Sequence, residues 1–132
     1  MSQNLRHIAC LDDEADILMI AQLALETIGG YQVSVFNCVN SALDGLAACA
    51  PDVLLLDYMM PDMNGPAVLK AIQSDAALAH IPVIFMTANA FPPDEAHFLG
   101  LGAIGVIAKP FDPLTLPDEV CRIWTDWGSR AG

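Results

Sequence analysis

Short apolar runs alternate with helix-spaced apolar positions five times along this chain. His7-Ile8-Ala9-Cys10-Leu11 predicts a buried strand at about residues 6–11, ending in Asp12-Asp13-Glu14. Ile17, Ala21, Ala24 and Ile28, flanked by Leu18 and Leu25, predict a helix from about Ala15 to Ile28, stopped by Gly29-Gly30. Tyr31 to Phe36 sets Val33 and Val35 against polar Gln32 and Ser34, the alternation of a half-wet edge strand. Ser41 to Ala50 suits a second helix, capped by Asn40 or Ser41. Val53-Leu54-Leu55-Leu56 is a wholly apolar strand that ends at Asp57, and a loop from Tyr58 to Asn64 carries Pro61 and the turn-favouring pair Asn64-Gly65. Pro66 fits the first turn of a third helix running to about Ser74. Pro82 to Met86 predicts the fourth strand, closing at Thr87, and Pro92-Pro93 opens a short helix with Glu95, His97 and Leu99 that Gly100 and Gly102 end. Ile104 to Ala108 leads as a fifth strand into Lys109, and Leu114 to Trp127 forms the last helix, irregular at its start because of Pro117.

Helical crossovers between short buried strands imply a parallel sheet covered on both faces. The expected fold is therefore one α/β domain over residues 1–132, a flavodoxin-like (βα)5 three-layer sandwich. The right-handed crossover rule and the more polar second strand favour the order 2-1-3-4-5.

Charge narrows the partners. The 16 acidic residues against 5 basic ones give a net charge of -11, a surface that repels nucleic acid phosphates, so no direct nucleic acid binding is expected. The only lysines are Lys70 and Lys109, so a lysine at the end of an apolar run calls for an explanation. No apolar run approaches the roughly 20 residues of a membrane helix, and MSQNLRH lacks a signal peptide's apolar stretch. A cytoplasmic protein without membrane insertion is expected. Cys10, Cys38, Cys49 and Cys121 form no CxxC pair and, with scattered His7, His80 and His97, no zinc spacing; they read as small core-filling residues and surface or strand-end histidines.

Open parallel sheets bind ligands beyond the carboxyl ends of their strands. Asp12-Asp13, Asp57, Thr87 and Lys109 stand at four such ends and should converge on one rim. Each has a plainer explanation alone: the acids cap a helix, Asp57 sits in a turn, Thr87 is structural, and Lys109 points to solvent. Together they make a set. Crowded carboxylates repel one another unless they hold a cation, and oxygen ligands without His or Cys suit magnesium. A carboxylate can take a phosphoryl group as an acyl phosphate, whose equatorial charge a metal, a lysine and a hydroxyl would stabilise.

The chain resembles the receiver domains of two-component response regulators, of CheY-like fold, over essentially its whole length. The likeness rests on Asp12-Asp13, on Leu-Leu-Leu-Asp57 followed by Tyr-Met-Met60-Pro61 and Gly65, on Thr87-Ala88, and on Lys109-Pro110-Phe111. It implies that Asp57 is the phosphoacceptor. Asp13, Asp57 and the backbone carbonyl of Met59 would bind Mg2+, with Asp12 acting mainly through water. Thr87 and Lys109 would hold the phosphoryl group, small Ala88 would leave room for it, and the Lys109-Pro110 peptide would be cis. The donor would be a histidine kinase or a histidine phosphotransfer protein, and the output an unknown downstream protein reached by contact. No output domain is expected within the chain. Met59 and Asn89 occupy the positions that tune phosphoryl lifetime in the family, and apolar Met59 predicts slow self-dephosphorylation. The family often has an aromatic residue where this chain has Val106, so a muted or different conformational readout is expected.

Two other functions fit the fold. An aspartyl-phosphate phosphatase commonly needs a second acid two residues past the nucleophile, where Met59 stands. A flavin-binding electron carrier needs a hydroxyl-rich loop after the first strand, where this chain has acids. Trp124 and Trp127 share a face of the last helix, read here as packing, with a partner surface as the alternative.

Overall fold

A computed structural model describes residues 5–59, 64–88 and 92–131. Five parallel strands, β1 (His7–Leu11), β2 (Gln32–Phe36), β3 (Val53–Asp57), β4 (Val83–Thr87) and β5 (Gly105–Ala108), form one sheet in the order β2-β1-β3-β4-β5. The helices between and after them are α1 (Ala15–Leu23), α2 (Val39–Cys49), α3 (Gly65–Ser74), α4 (Pro92–Leu101) and α5 (Leu116–Ala131). The flavodoxin-like three-layer sandwich is therefore the observed fold.

The strands sort their residues by alternation. Ile8, Cys10, Val53, Leu55, Ile84, Met86 and Ile107 face one way, into a core closed by α1 and α5. Ala9, Leu11, Leu54, Leu56, Val83, Phe85 and Val106 face the other, under α2, α3 and α4. Every residue of β3 and β4 is buried, as strands covered on both faces require, whereas β2 at the edge buries none of its five fully. Trp124, Trp127 and Tyr31 pack against the α1/α5 core, so the packing reading of the two tryptophans is the observed one.

Several local expectations are corrected. The helix predicted from Ala15 to Ile28 is α-helical only to Leu23 and then widens into a π-helical turn, Ala24–Ile28, with Gly29 N–H bonded to the Ala24 carbonyl at 3.2 Å. A wider turn sweeps less angle per residue, so Ala24 and Leu25 are both buried while Ile28 misses the core and is 51% exposed. The residue at the start of α2 is Cys38, not Asn40 or Ser41; the Ser41 hydroxyl lies 2.8 Å from the Cys38 sulfur, within the first turn. Asn64 caps α3, its side-chain oxygen accepting from Ala67 N–H at 2.9 Å, rather than opening a two-residue turn. Thr87 completes β4, and α5 starts at Leu116 because Asp112 forms a turn ahead of it, accepting from Leu114 N–H. The expected loop residues Met60 and Pro61 and the tuning position Asn89 lie outside the described residues.

Gly105 lets α5 approach the sheet. A Cβ there would lie 2.4 Å from Ile123 Cγ2, a stiff β-branched atom that cannot swing aside. Gly105→Ala is expected to lower the unfolding free energy by about 1–3 kcal/mol, read in urea melts; an unchanged midpoint would show that the helix seat is loose.

Candidate functional site

The parallel register carries four predicted strand ends to one rim. Leu11 pairs with Leu56, Asp57 with Met86 and Thr87 with Ala108, so the residues that follow them emerge side by side. Asp12 and Asp57 are buried although both are acids, with 3% and 4% of their surfaces exposed. Asp13 is exposed, yet its carboxylate joins theirs: one oxygen from each of Asp12, Asp13 and Asp57 lies within 4.8 Å of the others. Among the described residues this is the only such group of possible metal ligands.

The Lys109 ammonium spans the two buried acids, donating to Asp12 Oδ2 at 3.0 Å and to Asp57 Oδ1 at 3.2 Å. Its backbone is held as well, with Lys109 N–H bonded to the Thr87 carbonyl at 2.9 Å. The Lys109-Pro110 peptide is cis, as expected. Asp12 is fixed from both ends. Its N–H donates to the Phe36 carbonyl at 3.2 Å, and its Oδ1 accepts from Glu14 N–H at 2.9 Å.

One ammonium does not neutralise this cluster. Burial, followed by the neighbouring Asp12 charge, pushes the Asp57 carboxyl up to about 6, against the pull of Lys109 and of a backbone hydrogen bond from Met59. Burial alone would lower Lys109, but the Asp12 and Asp57 carboxylates outweigh it and leave its pKa raised. A group of oxygen donors short of positive charge fits a hard divalent cation such as Mg2+, and the four cysteines, none in a disulfide, stand outside it. The Met59 carbonyl is near enough in sequence to complete such a set, since Met59 N–H already meets Asp57.

A cavity of about 450 Å³ opens over Asp57, walled by Glu14, Met59, Thr87, Ala88 and Lys109. Thr87 is buried at its edge, Ala88 is exposed beside it, and the Met59 side chain is 70% exposed. Sequence reading missed the remaining wall, formed by Tyr58, His97 and Phe98. No spacing rule links positions 58 and 98. The one available signal was an aromatic residue directly after the buried Asp57. Val106, the predicted readout position, lies away from the cavity, beside Leu99 and Ile123 in a second groove between α4 and α5.

Gly65 closes the loop that leaves the site. Its N–H donates to the Tyr58 carbonyl at 2.7 Å, and a Cβ would lie 2.8 Å from the Phe85 ring and 2.9 Å from Tyr58 Cα. Only glycine lets α3 begin against β3 and β4 at this height.

Comparison with known proteins gives the family of the chain. The sequence model of the response regulator receiver domain matches residues 8–120. Response regulator SaeR of Staphylococcus epidermidis is 39% identical over 110 residues, covering 83% of this chain and 46% of that protein. The phosphate regulon transcriptional regulatory protein PhoB of Klebsiella pneumoniae is 34% identical over 111 residues, covering 84% and 48%. The chain thus spans about half the length of these curated relatives. Among solved structures, the chemotaxis response regulator CheY4 of Vibrio cholerae superposes with a TM-score of 0.81 at 26% identity, covering 91% of this chain and 99% of that one. The N-terminal domain of a response regulator receiver protein from Methanoculleus marisnigri does so with a TM-score of 0.73 at 33% identity, covering 89% and 94%. With the acid cluster, the bridging lysine and the strand order all in place, this chain belongs to the response regulator receiver domain family of two-component signalling.

Proposed function

We propose that Asp57 accepts a phosphoryl group from a phosphohistidine of a histidine kinase or a histidine phosphotransfer protein. The observation that carries this is Lys109 Nζ, 3.2 Å from a buried carboxylate that two further acids surround. A carboxylate oxygen of Asp57 attacks phosphorus, the bond from phosphorus to the donor's imidazole nitrogen breaks, and the electron pair leaves with the imidazole. Lys109 leaves Asp57 for the phosphoryl oxygens, and the Thr87 hydroxyl donates to one of them. Ala88 leaves that side of the cavity open. Asp13, Asp57 and the Met59 carbonyl would hold Mg2+ directly, with Asp12 acting mainly through water; the ion would offset charge on the transferring group.

The domain is a signalling module that passes its state on by protein contact. Its net charge of -11 argues against direct contact with nucleic acid, and no helix among the described residues is long and apolar enough to cross a membrane. Neither alternative finds support. Met59 offers no second acid for a phosphatase, and Asp12 and Asp13 would repel a flavin phosphate.

Incubation with acetyl phosphate and Mg2+ should add one phosphoryl mass to the intact protein, and Asp57→Asn should abolish it. A persistent gain in the variant would move the acceptor elsewhere. The exposed apolar Met59 offers an attacking water no hydrogen-bond partner, so the phosphoprotein should decay slowly; Met59→Asn should shorten its half-life, followed by mass after the donor is removed.

A second test concerns charge. The folded-state pKa of Asp57, about 6, lies above its ordinary 3.8, so without divalent cations this ionised group opposes folding. The penalty is full above pH 6 and fades as pH falls through 6 toward 4. Metal-free Asp57→Asn should therefore melt higher than the parent at pH 8, with the gap narrowing by pH 5. Mg2+ should raise the parent's melting temperature more than the variant's. A variant that melts lower at pH 8 would mean that Lys109 already compensates the cluster.

A further inference from the structure

We propose that the contact between the Tyr58 and Phe98 rings reports the phosphorylation of Asp57 to α4, in place of a ring at position 106. The proposal rests on the acceptor role of Asp57 and names how that site is read.

Tyr58 follows Asp57 directly, and its backbone is fixed on both sides. Its N–H donates to the Met86 carbonyl at 3.0 Å, and its carbonyl accepts from Gly65 N–H at 2.7 Å. The ring is the part left free to reorient, and it is half-buried. It meets Phe98 edge-on, with centroids 4.8 Å apart and planes at 64°, and stands nearly perpendicular to Phe85 at 5.8 Å. Phe85 and Phe98 complete the triangle at 5.4 Å.

Phe98 matters to α4 more than its neighbours do. Among residues 96–101, Ala96, His97, Leu99 and Gly100 are exposed and Leu101 is half-buried, while Phe98 is 3% exposed. The seat of this turn of α4 on the sheet is therefore a ring whose nearest aromatic partner is Tyr58. Both rings also wall the cavity over Asp57, so they border the volume that a phosphoryl group would fill.

The two states differ at this wall. A phosphoryl group adds negative charge to the cavity, and the face of an aromatic ring carries negative charge of its own. Phosphorylation thus favours a Tyr58 orientation that offers its edge or its hydroxyl, which shifts the ring against Phe98 and loosens α4. This differential contact is what a population shift requires. Val106 packs in the same core as Phe85 and Phe98, but its branched side chain is stiff and lines the other groove. It offers no ring to move.

The chain has two tyrosines, Tyr58 and Tyr31. Tyr31 packs against the core on the opposite face of the sheet and serves as an internal control. In the 19F NMR spectrum of protein labelled with 3-fluorotyrosine, acetyl phosphate and Mg2+ should move the Tyr58 signal and leave that of Tyr31. In parallel amide spectra, the α4 residues His97 to Leu101 should shift in the parent. In Phe98→Leu and in Tyr58→Leu these α4 shifts should fall to baseline, with samples compared at equal phosphorylated fraction read by intact mass. Full α4 shifts in either variant that folds would overturn the relay. So would an unmoved Tyr58 signal in fully phosphorylated parent, a result that needs no variant. A parent that gains no phosphoryl mass would instead remove the acceptor role itself, and the relay with it.

Discussion

The rim of this protein is organised by one cation held between two buried acids. Lys109 follows β5, Asp57 ends β3 and Asp12 follows β1, and the ammonium binds both carboxylates at about hydrogen-bond distance. Removing two carboxylates from water is unfavourable unless charge compensates them, and breaking such a group by deleting one partner leaves an exposed deficit in a low-dielectric site. With Asp13 also at the cluster, three acids face one ammonium. The site is thus built with less positive charge than it needs, and Asp57, raised first by burial and then by the Asp12 charge, stays raised despite Lys109. A site in this condition would gain stability from a divalent cation, and such a cation would offset the still larger negative charge of a phosphoryl group.

The sheet makes this arrangement affordable. Parallel strands place all their carboxyl ends on one side, so four of the five short strands deliver an acid pair, an acid, a hydroxyl and a lysine to a single rim without a long loop. Burial on both faces of β3 and β4 fixes the height of Asp57 and Thr87 to within a residue, because a slip of one would send every side chain of the strand into the opposite core. Gly65 and Gly105 serve the same end from opposite faces. One lets α3 start against Tyr58 and Phe85, and the other lets α5 seat its Ile123 on β5.

What was legible in the sequence followed from strong local signals. The apolar run Val53 to Leu56 had only one sensible reading, and the strand-end rule then put Asp57 beside Asp12, Asp13, Thr87 and Lys109, where the structure has them. The alternation from Gln32 to Phe36 placed β2 at the edge. Features decided by tertiary contacts were not legible. The π turn at Ala24–Ile28 satisfies burial of both Ala24 and Leu25, a demand set by α5 rather than by the helix's own pattern. Asn64 reads as a turn residue beside Gly65, but a helix start needs its oxygen more. Phe98 was hidden because a lone aromatic residue in a short, glycine-ended helix carries no periodicity.

The substitution at position 106 and the ring at position 98 are best understood together. A receiver that keeps the acceptor, the lysine and the threonine retains the chemistry of the site, whatever its readout. Val106 is held by β5 on one side and faces a groove bordered by Leu99 and Ile123, so it has neither the length to reach the cavity over Asp57 nor the freedom to turn toward it. Tyr58 and Phe98 are differently placed. They already touch each other and already border that cavity, one ring directly after Asp57 and the other the one fully buried side chain among residues 96–101 of α4. Coupling between a site and a surface requires contiguous groups with more than one arrangement. In this chain the contiguous groups lie on the α4 side of Asp57, as two aromatic rings in contact, and not along β5.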